Sequence, residues 1–277
     1  MTATVWDTPV YYEELGKGTP VVALHGWTGS HLHMRESIEP VFNLLSHHRR
    51  IYPDLPGMGD TPRCERIKNT DDMLDFIIAF IDQVIGSDTP FFVIGHSYGG
   101  YLVRGLISKL RDRVLGGVLI CPVSNPVHEN RLLPKFTTGF TNYQFLESIP
   151  QQHREGFTKT MVIQNQYTFN RYLDEIVPAE EAYDADYLAD ILHRGYGYAV
   201  TPEERFGFCD TPTLFLLGKQ DNVVGFAETL SLLSYYRKHS VLLLENAGHN
   251  LDIEHPNIFC EMVKSWLWEL EVPQQNG

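Results

Sequence analysis

The sequence predicts an α/β fold, a mostly parallel sheet with helices on both faces. Short apolar, β-branched runs alternate with longer helical stretches, and the sharpest of these runs stops at a glycine-rich turn. The rhythm breaks once, over residues 122–208, and then resumes.

In order along the chain, VVAL (21–24) reads as a buried strand ending at His25-Gly26. RIYP (50–53) reads as a second, followed by the turn-rich DLPGMGDTP. Asp71–Ile85 reads as a helix: two aspartates suit its N-terminus, and Met73, Phe76, Ile77, Phe80, Ile81 and Val84 share one face. Pro90 starts the strand FFVIG, a helix runs from about Tyr98 to Lys109, and VLGGVLIC (114–121) is the next strand. After PTLFLLG (212–218) come a helix around Ala227–Tyr236, the strand SVLLLE (240–245) and an amphipathic helix over Ile258–Leu270. The tail VPQQNG is expected to fray. Residues 122–208 offer no convincing buried strand and are rich in aromatics, which reads as a helical insertion on a core made of 1–121 and 209–277.

Composition narrows the function classes. With 277 residues, 43% hydrophobic and 21% charged, the chain has the make-up of a soluble globular protein. A formal charge of −13 and the lack of a basic stripe argue against a nucleic-acid partner. No apolar run approaches the ~20 residues that span a bilayer. The absence of a basic-then-apolar leader and of any CxxC pair among four scattered cysteines makes the cytoplasm the expected location. The thiols are expected to be reduced, with no metal site or cofactor. Homo-oligomerisation is left open.

The strongest chemical signal is FFVIGHSYGG (91–100), in which Gly95-His96-Ser97-Tyr98-Gly99 matches G-x-S-x-G between a strand and a helix. Such a turn holds the serine in a strained conformation with its hydroxyl exposed. The competing reading is a serine that merely caps the helix. A serine nucleophile needs a base, and the base needs an acid, both later in the chain for this fold order. Of twelve histidines, His249 is best placed, in the loop Asn246–Asn250 after the last strand. The others precede Ser97, touch it in sequence, fall in the insertion, or flank elements. Asp221, at the carboxyl end of PTLFLLG, is the acid expected to hold the His249 Nδ1–H. The stretch after Cys121 offers no carboxylate to compete. The backbone N–H groups of Tyr98 and Trp27 are the expected donors to a developing oxyanion.

These motifs together resemble the α/β-hydrolase superfamily: His25-Gly26-Trp27, Asp54–Gly59, Gly95–Gly100, Gly218–Asp221 and Gly248-His249 stand in that family's order and span residues 25 to 249. The resemblance implies an eight-stranded, mainly parallel sheet with a helical cap inserted after strand six. Asp54 and its glycines resemble the family's structural turn. Relatives of the dehalogenase and epoxide-hydrolase kind carry an aspartate nucleophile, against Ser97. The glycine-rich oxyanion loop of ring-cleavage C–C hydrolases is missing, since Trp27 and Thr28 follow Gly26. The nearest likeness is to lid-bearing carboxylesterases acting on a small-molecule ester through an acyl-enzyme. The same three side chains also serve C–C, amide or thioester hydrolysis and cofactor-free perhydrolysis, and some superfamily members only bind ligands. A lipase at a membrane surface fits less well, because the insertion shows no basic amphipathic helix.

Overall fold

The computed structural model describes residues 1–43, 45 and 47–271. In chain order the elements are β1 (Thr2–Val5), β2 (Thr8–Gly16), β3 (Thr19–Leu24), α1 (His31–Phe42), β4 (His48–Pro53), α2 (Thr70–Ile85), β5 (Phe91–His96), α3 (Tyr98–Leu110) and β6 (Val114–Ile120). Then follow β7 (Phe140–Thr141), α4 (Tyr143–Ser148), α5 (Gln151–Thr160), β8 (Ile163–Gln164), α6 (Gln166–Arg171), α7 (Val177–Glu181), α8 (Ala185–Gly195) and α9 (Pro202–Phe206). The chain closes with β9 (Thr213–Gly218), α10 (Ala227–Leu232), β10 (His239–Leu244), α11 (Leu251–Glu254) and α12 (Pro256–Glu271).

Eight strands form one sheet in the order β1-β2-β4-β3-β5-β6-β9-β10. The first two are antiparallel additions at one edge; every neighbouring pair from β4 to β10 is parallel. The chain moves from β3 out to β4, then returns past β3 to β5. Right-handed crossovers in opposite directions put α1 and α2 on opposite faces. Accordingly α1 packs with α12, and α2 with α3. The strand order reverses between β3 and β5, and a crevice opens at the carboxyl ends of strands at such a point. Buried on both faces, β3, β5, β6 and β9 read as continuous apolar runs.

The N-terminal hairpin β1–β2 went unread in the sequence, because its burial alternates and its tight turn uses Trp6 and Asp7 at positive φ instead of the expected Asn-Gly or Asp-Gly pair. The strand at VLGGVLIC stops one residue early: Cys121 turns to φ 41°, its N–H still donating to the Leu216 carbonyl at 2.9 Å. The helix expected to reach Tyr236 ends at Leu232 and tightens into a 3-10 turn, Leu233–Tyr235. α2 keeps its bounds within a residue, with the Asn69 side chain accepting the Asp72 N–H. The reading of the tail VPQQNG falls outside the described residues.

Between β6 and β9 the chain builds short helices and one two-residue parallel pairing, β7 with β8, where no strand was expected. Its aromatics Phe157, Phe169 and Tyr172 make a separate small core with Ile149 and Met161, joined by Ile253 from α11. Its far end is fastened by charge: buried Arg104 of α3 donates to Glu203 of α9 through Nε and Nη2 at 2.8 and 2.7 Å. Tyr236 Oη donates to the same carboxylate. Removing one partner of such a pair costs about 3–5 kcal/mol.

Candidate active site

The crevice between β3 and β5 is a cavity of about 560 Å³, and Trp27, His96, Ser97 and His249 all contribute to its wall. Ser97 stands in the turn between β5 and α3 at φ 54°, a left-handed conformation that a non-glycine residue adopts at a cost. The turn closes only because its flanks are glycine. A Cβ on Gly95 would lie 2.3 Å from the Gly99 carbonyl oxygen, and one on Gly99 would lie 2.1 Å from that of Leu24. Ser97 is the N-cap of α3, yet its side chain makes no capping hydrogen bond. Its backbone is pinned, N–H to the Ile120 carbonyl at 2.9 Å and carbonyl to the Val123 N–H at 3.1 Å.

Asp221 and His249, the expected acid and base, follow β9 and β10. Asp221 is buried, and its Oδ2 lies 2.9 Å from His249 Nδ1. Its Oδ1 accepts the N–H groups of Val223 and Val224 at 2.9 and 3.0 Å. Burial alone would raise the carboxyl. The His249 imidazole and the two N–H donors outweigh it and hold the group below its ordinary value, so Asp221 is an anion. Ser97 and His249 share the cavity, with no hydrogen bond between their side chains among the described residues.

Trp27 lines the cavity. Its neighbour Gly26 runs so close to the turn that an added Cβ would sit 3.1 Å from Ser97 Cβ. His25 shapes this loop: its Nε2 accepts the Leu55 N–H at 2.9 Å, so its Nδ1–H donates to the Gly26 carbonyl at 2.7 Å. Burial lowers its pKa and keeps it neutral. The Tyr98 ring lies fully buried beneath, 4.8 Å from the Trp27 ring, with its hydroxyl 3.0 Å from Thr70 Oγ1. Its backbone N–H is the first of α3, a position with no partner inside a helix.

Three groups escaped sequence reading. His96, adjacent to Ser97 in the chain, turns its ring toward the His249 loop, and its Nε2 lies 2.9 Å from the His249 carbonyl oxygen. Only the ring can donate there. Burial, then the neighbouring His249 and His33, lower its pKa to about 3, so it is neutral. His33 and Asp252 form a buried pair at 2.7 Å, joined by the Ser37 hydroxyl and, through it, by Arg171 of α6. Glu254 accepts the Gly248 N–H beside His249 and the Val162 N–H from the insertion, both at 2.6 Å. His33, Asp252 and Glu254 lie in α1 and α11, where nothing marks them off from ordinary helix polar residues. Cys121 completes the back of the site: its Sγ, Asp221 and His249 offer atoms within 4.8 Å of one another, with the thiol pushed far up by burial.

Comparison with known proteins identifies the family. The model of the Alpha/beta hydrolase family matches residues 21–261. A 2-hydroxy-6-oxo-6-(2'-aminophenyl)hexa-2,4-dienoic acid hydrolase of Metapseudomonas resinovorans is 25% identical over 262 residues, covering 92% of this chain and 86% of its own. A pimeloyl-[acyl-carrier protein] methyl ester esterase of Aeromonas salmonicida (strain A449) is 27% identical over 266 residues, covering 92% and 98%. Among solved structures, an alpha/beta superfamily hydrolase from Oenococcus oeni PSU-1 superposes with a TM-score of 0.88 at 28% identity, covering 98% of this chain and 99% of that one. The chain is thus a member of the alpha/beta hydrolase family.

Proposed function

We propose that this hydrolase cleaves a small carboxylic ester through an acyl-enzyme, with Ser97 as nucleophile, His249 as base and Asp221 as the acid that holds the base. The observation that carries this reading is the His249–Asp221 pair at 2.9 Å opening on the same cavity wall as a serine held at φ 54°. Ser97 Oγ attacks the ester carbonyl while His249 takes its proton; the tetrahedral oxyanion collapses, and His249 returns the proton to the departing alcohol. Water then repeats the sequence on the acyl-enzyme and releases the acid. Asp221 fixes the Nδ1–H tautomer and stabilises the imidazolium. The N–H groups of Trp27 and Tyr98 receive the oxyanion, each being worth about 2.7–4 kcal/mol in comparable sites.

Residues 122–208 act in this reading as the cap over the cavity, on a core of 1–121 and 209–277. Among the described residues no helix is long and apolar enough to cross a membrane. The four cysteines are free, which supports the cytoplasmic reading. A short-chain p-nitrophenyl ester supplied to the purified protein should be cleaved, and Ser97→Ala should abolish that cleavage. Turnover undiminished in Ser97→Ala would remove the assignment. The likeness to a dienoic acid hydrolase supports a second reading, C–C bond hydrolysis by the same side chains, and a panel of ester and C–C substrates separates the two.

A further inference from the structure

One cation in the cavity wall has no acid of its own. Arg131 follows a 3-10 turn, His128–Asn130, near the start of the insertion, and lines the cavity that holds Ser97. Its guanidinium is held by backbone carbonyls: Nε donates to Asn125 at 2.9 Å and Nη1 to Val223 at 2.9 Å. Among the described residues no carboxylate lies within 4.0 Å of it. The other strong cations nearby are engaged, Arg171 with Glu175 and Lys159 with Glu155. Two of the five guanidinium N–H groups go to these carbonyls and one faces the Tyr196 hydroxyl, which leaves two for a ligand.

The position is built. Asn125 ties its own loop, Oδ1 accepting the Val127 N–H at 3.0 Å and Nδ2 donating to the Asn130 carbonyl at 3.1 Å. Glu228 accepts the Leu132 N–H at 2.7 Å, and Gly225, at φ 71°, lets the Leu132 carbonyl approach to within 2.6 Å of where a Cβ would stand. A cation held this way loses little freedom on binding an anion.

One residue, Val223, links it to Asp221. The Val223 carbonyl holds Arg131, and the Val223 N–H is bound by Asp221. On its other side lies Tyr196. Burial raises the Tyr196 phenol and the guanidinium pulls against that rise; the Tyr196 ring also meets Trp27 edge-on at 5.1 Å. The two acids that line the cavity do not claim Arg131: Glu175 is taken by Arg171, and Glu180, whose carboxyl burial raises, makes no ion pair with it.

We infer that Arg131 receives a carboxylate carried by the substrate at the end remote from the bond that Ser97 attacks, so that the substrate is a mono-ester of a dicarboxylic acid. This rests on the esterase reading above. A planar carboxylate matches the guanidinium fork, and a local cation offsets the repulsion that a chain of net charge −13 presents to any anion.

The test compares monomethyl glutarate with methyl butyrate, following acid release by wild type, Arg131→Gln and Arg131→Lys. The ratio of kcat/KM for the anionic over the neutral ester should fall on the order of 10- to 100-fold in Arg131→Gln, chiefly through KM. Arg131→Lys should recover part of it. An unchanged ratio in both variants overturns the assignment. Calorimetry of glutarate binding to Ser97→Ala separates the two readings. Arg131-dependent binding by a protein whose wild type cleaves neither ester supports the subsite and removes the esterase. Cleavage of both esters without glutarate binding removes the subsite and keeps the esterase.

Discussion

Gly218 lies directly against the backbone of Gly248: a Cβ on Gly218 would stand 2.2 Å from the Gly248 carbonyl oxygen. This approach lets two loops from adjacent strands run together. The Gln220 N–H reaches the Ala247 carbonyl at 2.8 Å, and one residue further on Asp221 meets His249. Gly218→Ala should therefore push Asp221 away from His249. The expected result is a kcat lowered at least tenfold together with a lower Tm, read by steady-state kinetics and thermal unfolding; unaltered kcat would show that the approach is not needed.

The Asp221 carboxylate is expected to act only by holding and stabilising the imidazole. Asp221→Asn keeps the shape and removes the charge, so kcat should drop about 10⁴-fold with the fold intact. Circular dichroism establishes the fold and initial rates the loss. A drop of only a few-fold would mean that another group orients His249.

The buried Asp252–His33 pair should govern acid stability. Asp252 is pulled well below the ordinary carboxylate value, for although burial opposes ionisation, His33 and Ser37 outweigh it. A depressed carboxyl adds stability above its unfolded value of 3.8 and loses it as pH falls. Asp252→Ala should cost about 3–5 kcal/mol near neutral pH, and the gap to wild type should shrink below about pH 4. Urea titrations at pH 3 and pH 6 compare the two.

Glu254 behaves oppositely. Burial pushes its carboxyl up to about 7, against the pull of the Gly248 and Val162 N–H groups. A raised carboxyl contributes most stability below its unfolded value of 4.5, and the contribution fades as pH climbs through about 7. Unfolding free energies measured from pH 5 to pH 8 should therefore fall less steeply in Glu254→Gln than in wild type. Parallel curves would show that Glu254 does not titrate there.

Local signals made the strand–turn–helix around Ser97 legible, because the apolar run FFVIG and the glycines that crowd the turn are consecutive in the chain. The pairing of Asp221 with His249 was legible for a related reason: one follows the buried strand β9 and the other the apolar edge strand β10, and parallel strands deliver their carboxyl ends to one edge. The hairpin β1–β2 was hidden by its unusual turn residues. His96, Asp252 and Glu254 were hidden because their meaning lies in partners 153, 219 and 92 positions away. Arg131 escaped notice because its two partners are backbone carbonyls, which leave no trace in sequence.

The most direct test of the central claim is labelling by a serine-directed fluorophosphonate, with the modified peptide identified by mass spectrometry. Covalent modification of Ser97 in wild type, much slowed in His249→Ala and absent in Ser97→Ala, is the predicted result. Equal labelling of wild type and His249→Ala, or modification at any other serine, would contradict it.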